Sequence, residues 1–126
     1  MNENKNIAVQ KWFKKADNDL KTIENNLNAI DHPNDTSCFH AQQAIEKYIK
    51  GALVYYEQNA PKIHDLVVLL QKINHFIPDL SSLEDDLEKI SEFAVESRYP
   101  DMLFEPSNEE VDEAYALALK IKEIIL

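Results

Sequence analysis

The chain has 126 residues, of which 44% are apolar and 29% charged, and its net charge is −10; that is the size and make-up of one globular domain spanning residues 1–126. It carries one glycine and one cysteine, which argues against a β-rich fold built on positive-φ turns and excludes an internal disulfide or a cysteine-rich metal centre. No run approaches the ~20 apolar residues of a membrane span, and the polar residues 1–6 offer no signal-peptide core, so a cytoplasmic protein without a membrane segment is expected.

The spacing of apolar residues predicts a first helix over 6–30, with Trp12, Phe13, Ala16, Leu20, Ile23, Leu27 and Ile30 on one face. Pro33 then breaks the chain. A second helix is expected over 36–58, with Asp35 or Thr36 as its N-cap. Cys38, Ala41, Ile45, Tyr48, Ile49, Ala52, Leu53 and Tyr56 form its buried stripe, on which Cys38 reads as a small buried thiol. Gly51 in mid-helix costs about 1 kcal/mol against alanine, which a close helix crossing at that point would explain.

Asn59, Ala60 and Pro61 end this helix, and a short third helix follows over 64–74 with Leu66, Leu69, Leu70 and Ile73 inward. Pro78 closes the next connection. A fourth helix over 82–97 turns Leu83, Leu87, Ile90 and Ala94 inward, with Phe93 beside them. Pro100 and Pro106 make 98–106 irregular. The last helix begins after Ser107, with Glu110 placed for a capping box, and turns Val111, Ala114, Tyr115, Ala118, Ile121 and Ile125 inward. The expected fold is therefore all-α: an up-and-down antiparallel bundle of about five helices, with short connections making successive helices neighbours.

Charge is uneven. Residues 1–30 are net +1 and residues 31–78 net −1, whereas residues 79–126 hold four basic and fourteen acidic side chains. That excludes a broad nucleic-acid surface and, on charge alone, confines any polyanion site to the first two helices. The acidic C-terminal half reads first as a solvated face that keeps the chain soluble, with a basic partner as the other reading.

No Gly-rich phosphate loop, His-Glu-x-x-His helix or Gly-x-Ser-x-Gly elbow is present, and no two histidines stand three or four apart. No metal or cofactor is expected. Three constellations remain. His40, Gln43, Lys47 and Lys50 lie on one polar stripe of the second helix, either a groove that holds phosphate on two ammonium groups or a solvent-facing stripe. His64 and Asp65 precede Leu66 at the start of the third helix, where a carboxylate caps the dipole or flanks a ligand. Arg98, the only arginine, stands in Arg98-Tyr99-Pro100-Asp101; it reads as a phosphate grip, with Tyr99 and Asp101 beside it, or as a structural clamp.

In this order, the chain resembles the HEPN domain family. The residues that carry the resemblance are Ala16-Asp17-Asn18-Asp19-Leu20, the Phe-x-x-Gln-Gln-Ala-x-Glu-Lys run at Phe39, Gln42, Gln43, Ala44, Glu46 and Lys47, then His64-Asp65-Leu66, Arg98-Tyr99-Pro100-Asp101 and the alanine-rich last helix. The resemblance implies a helical bundle that dimerises, binds nucleotide and often partners a small nucleotidyltransferase. It also implies that many relatives are ribonuclease toxins of toxin–antitoxin or defence systems, using an Arg-x4-6-His motif duplicated at a dimer interface.

This sequence departs from the ribonuclease pattern. No histidine follows Arg98; the residues four to seven beyond it are Met102, Leu103, Phe104 and Glu105. The expectation is a nucleotide- or polyanion-binding module, homodimeric and paired with a nucleotidyltransferase, rather than a self-sufficient enzyme. The alternative is a ribonuclease that combines Arg98 with His40 or His64.

Overall fold

The computed structural model describes residues 3–97 and 105–126, the side chains of 93–97 left aside. Five α-helices follow one another: α1 (Glu3–Leu27), α2 (Asn34–Tyr55), α3 (Leu66–Asn74), α4 (Glu84–Ser97) and α5 (Asn108–Ile125), with a short 3-10 helix at Pro78–Leu83. No strand is present among the described residues, and the bundle is all-α as expected. α2 is its hub. It packs along the length of α1 and broadly against α5, and it also touches α3 and α4. α5 therefore leans mainly on α2 and much less on its chain neighbour α4.

The core is the union of the apolar faces. Ile45, Tyr48 and Ile49 of α2 are fully buried, together with Ile23 of α1, Leu69, Leu70 and Ile73 of α3, and Ile121 of α5. Gly51 lies where α1 and α2 cross: a Cβ built there would stand 2.7 Å from the Phe13 ring and 2.9 Å from Trp12 Cβ. The close crossing expected of a mid-helix glycine is present.

Helix ends differ from the periodicity reading, each for a local reason. α1 stops at Leu27, short of residue 30, and Ile30 is fully exposed in the following turn instead of on the apolar face. Asn26 draws that turn back by donating to the Pro33 carbonyl at 3.0 Å and to Ser37 Oγ at 2.7 Å. α2 begins at Asn34, so neither Asp35 nor Thr36 is its cap; Pro33 holds that position without a side-chain bond. Asn34 instead ties the start of α2 to the start of α5, donating to the Pro106 carbonyl at 2.9 Å and to Asn108 Oδ1 at 3.0 Å.

At its other end α2 closes at Tyr55 because Glu57 turns left-handed, with φ of 66°. The amides of Glu57 and Gln58 then bond the carbonyls of Val54 and Leu53, the pattern of a Schellman cap. α3 starts at Leu66, two residues later than expected, because Asp65 is its N-cap. The 3-10 helix shortens α4 by two residues at its start and buries Leu80 and Leu83. α5 begins as its sequence indicates: Ser107 Oγ accepts from the Glu110 amide, and Glu110 Oε1 accepts from the Ser107 amide.

Candidate functional site

Both histidines singled out in the sequence sit on carboxylates. Asp19 is buried on α1, and its two oxygens accept separately from α2: Oδ1 from His40 Nδ1 at 2.8 Å and Oδ2 from Lys47 Nζ at 2.6 Å. On α2 itself, next to Lys47, Glu46 is buried between Lys50, whose Nζ lies 3.1 Å from Oε2, and His64 Nδ1, 3.2 and 3.1 Å from Oε1 and Oε2. An ionised carboxylate only accepts, so in each pair the imidazole Nδ1 carries the proton and donates it. In the neutral ring the other nitrogen, Nε2, is then an acceptor.

The two pairs differ in access. The His40 side chain is 26% exposed and that of His64 is 79% exposed. Lys50 is buried to 6%, with its ammonium 5.9 Å from the centre of the Trp12 ring. The cationic stripe expected of His40, Gln43, Lys47 and Lys50 is therefore not an open row of positive charge. Each lysine faces a carboxylate, and Lys50 is not solvent-facing at all.

Gln43 is half-buried, and its side chain makes no hydrogen bond to another described residue. Its neighbour Gln42 donates to the Ile90 carbonyl of α4 at 2.6 Å. Gln42, Gln43, Glu46, His64 and Leu66 line a pocket of about 250 Å³. Larger depressions exist, one of about 360 Å³ between α4 and α5, but those three are not lined by any of the candidate binding residues. Asp65 lies beside this pocket in a structural role, its Oδ1 accepting from the amides of Val67 and Val68 at 3.0 and 3.2 Å. Arg98, Tyr99 and Asp101 fall outside the described residues.

Sequence reasoning did not single out Asp19 and Glu46 as site residues. The signal for Glu46 was its i,i+4 spacing to Lys50. Asp19 stood in the Ala16-Asp17-Asn18-Asp19-Leu20 run of the resemblance, as an acid on the apolar side of α1. Asp17, two residues before it, accepts from the Tyr48 hydroxyl and pairs with Lys122 of α5 at 3.0 Å. Burial, and next the Asp17 bond, push the Tyr48 phenol well above its ordinary range. This second aspartate binds α1 to α2 and α5 through one oxygen, Oδ1. Among the described residues no cluster of three or more His, Cys, Asp or Glu is arranged to hold a metal, and no helix is long and apolar enough to cross a membrane.

A family model described as the HEPN domain matches residues 9–126. No curated protein and no solved structure gives a match.

Proposed function

This chain belongs to the HEPN domain family, and we propose that it serves as a nucleotide-binding module, dimeric and acting as partner subunit of a small nucleotidyltransferase. The observation that carries this reading is the pocket of Gln42, Gln43, Glu46, His64 and Leu66. It joins the Phe-x-x-Gln-Gln-Ala-x-Glu-Lys run to the His-Asp-Leu motif, two segments far apart in the chain, and presents an unpaired amide and an exposed imidazole at one opening. Arg98 supplies the phosphate contact in this reading, since the α2 lysines already face carboxylates. The fourteen acidic side chains of residues 79–126 favour a basic face on the partner.

The test is a thermal-shift panel of nucleotides on the wild type and Arg98→Ala. A ligand at about 100 times its Kd stabilises by about 2.7 kcal/mol, which a melt resolves easily. The expected result is a rise in Tm for the wild type and its loss in Arg98→Ala. No shift with any nucleotide at millimolar concentration overturns the binding reading and leaves the partner-subunit role to be tested by co-purification.

One observation favours a second reading, a ribonuclease using Arg98 and a histidine. The Glu46 carboxylate holds His64 with Nε2 outward, the arrangement a proton-transfer imidazole requires. His64, more exposed than His40, is then the histidine to examine. This reading expects growth inhibition on expression, relieved by Arg98→Ala and by His64→Ala. A harmless wild-type protein sinks it.

A further inference from the structure

The α2 pocket is a poor receptor for phosphate and a good one for a flat ring. Its only buried charge pair, Glu46 with Lys50, is internally neutralised, and the carboxylate forms part of the lining. An approaching phosphate would meet Glu46 and His64 before reaching an ammonium that is 6% exposed and directed at Glu46. Lys47, the next cation along the stripe, is bound to Asp19. What the pocket does offer is uncharged or acceptor chemistry. The Gln43 amide has a donor and an acceptor to place in one plane. The His64 ring offers an exposed face and a free Nε2. Phe39, half-exposed, lies one helical turn before Gln43 on the same side of α2.

The volume points the same way. About 250 Å³ lies below the ~300–1,000 Å³ clefts that enclose drug-sized ligands, so it suits one planar group better than a whole nucleotide. We propose that this pocket receives the base of a nucleotide, with the Gln43 amide reading its edge and the His64 ring against its face, while the phosphates lie outside it. The proposal rests on the nucleotide-binding reading and assigns that site its specificity: the ligand is chosen by its heteroaromatic ring. Stacking on an aromatic or imidazole face is tolerant of base identity, whereas a side-chain amide hydrogen-bonded to a base edge discriminates.

The experiment compares nucleosides, nucleoside triphosphates and inorganic tripolyphosphate as thermal-shift ligands of the full chain, in the wild type, Gln43→Met and His64→Gln. Methionine keeps the length of Gln43 and removes its hydrogen bonds. Nucleosides lacking any phosphate are expected to stabilise the wild type and tripolyphosphate is not. Both variants, with unligated melts close to wild type, are expected to bind nucleosides roughly tenfold more weakly. If tripolyphosphate matches the triphosphates and Gln43→Met changes nothing, the base-pocket proposal is overturned while nucleotide binding survives through another site. If nucleosides bind wild type and both variants equally, the base lies elsewhere and the proposal is again overturned. If no nucleotide binds at all, both readings fail together.

Discussion

Glu46 and Lys50, one turn apart on α2, form an ion pair in which both side chains are less than a tenth exposed, with Nζ 3.1 Å from Oε2. His64 reaches the same carboxylate from the segment before α3, but its ring is largely in water. One carboxylate thus serves two partners of unlike standing: a buried cation that depends on it, and an imidazole that it orients.

That asymmetry separates two substitutions. Glu46→Gln leaves the Lys50 ammonium buried without a counter-charge, and breaking such a pair costs about 3–5 kcal/mol. His64→Ala removes an exposed ring and leaves Glu46 with Lys50, so a change within about 0.5 kcal/mol is expected. Urea melts of the two variants beside wild type decide the matter. A destabilisation by His64→Ala as large as that by Glu46→Gln would make His64 a structural clamp and remove it from the candidate site.

Asp19 makes a parallel case on α1. It accepts from His40 and Lys47 at once and is itself buried, so Asp19→Ala strands a half-buried cation on α2. Because Lys47 is 23% exposed, solvent relieves part of the loss, and about 2–3 kcal/mol is expected. The double variant Asp19→Ala/Lys47→Met should recover much of it. No recovery would mean that the cost lies in the packing of α1 rather than in the stranded charge.

The faces of the helices were legible because they are local. A repeat of three and four residues placed Leu20, Ile23, Ile45, Ile49 and Ile121 in the core, and the Ser107–Glu110 capping box needs only its own four residues. The ends of α1 and α2 were not legible, because distant or unusual partners set them. Asn34 finds its partners at Pro106 and Asn108, and Glu57 adopts a backbone conformation that sequence assigns to glycine or asparagine. The candidate site was half legible for the same reason. The stripe of His40, Gln43, Lys47 and Lys50 follows from helix geometry, and Lys50 meets Glu46 on the same helix, but the charge on Lys47 is cancelled by Asp19, which belongs to another helix. Spacing within one helix carries no information about that cancellation.

Gly51→Ala tests the α1–α2 crossing. Alanine is the better helix former by about 1 kcal/mol, yet its Cβ would lie within 3 Å of the Phe13 ring and of Trp12 Cβ. The ring can rotate away, whereas Trp12 Cβ is fixed to the backbone of α1, so the two helices must separate. Overpacking of this kind costs about 1–3 kcal/mol, and a net fall in Tm of several degrees is expected. An unchanged or higher Tm would show that the crossing yields without cost.

Alkaline pH should weaken the fold through two groups in the core. Burial, followed by the charges of Glu110, Asp35 and Glu105, pushes the Cys38 thiol up from 9.0 to about 12. The Tyr48 phenol is likewise raised from 10.0, by burial and by its bond to Asp17. Both are neutral when protonated, and the folded chain keeps protons that the unfolded chain releases. Their contribution is therefore whole below about pH 9 and is lost progressively as pH rises towards 12. Urea midpoints at pH 7, 9, 10 and 11 should fall across the last three, and less steeply in Cys38→Ala. Equal slopes in wild type and variant would remove the thiol from this account.

Glu57 offers the opposite kind of change, a substitution that should stabilise. Its left-handed backbone, with φ of 66°, costs a residue with a Cβ about 1 kcal/mol relative to glycine. Glycine there would also lose the Glu57 contact with Lys5, but that carboxylate is 81% exposed, and exposed pairs contribute at most about 1 kcal/mol and often nothing. The two terms oppose each other, and glycine also gives the unfolded chain more freedom to lose. Glu57→Asn keeps a side chain, tolerates the left-handed region and avoids most of that entropy. It is expected to raise Tm by a degree or two, with Glu57→Gly close to wild type. A fall in Tm for Glu57→Asn would mean that the Lys5 contact outweighs the backbone strain at the end of α2.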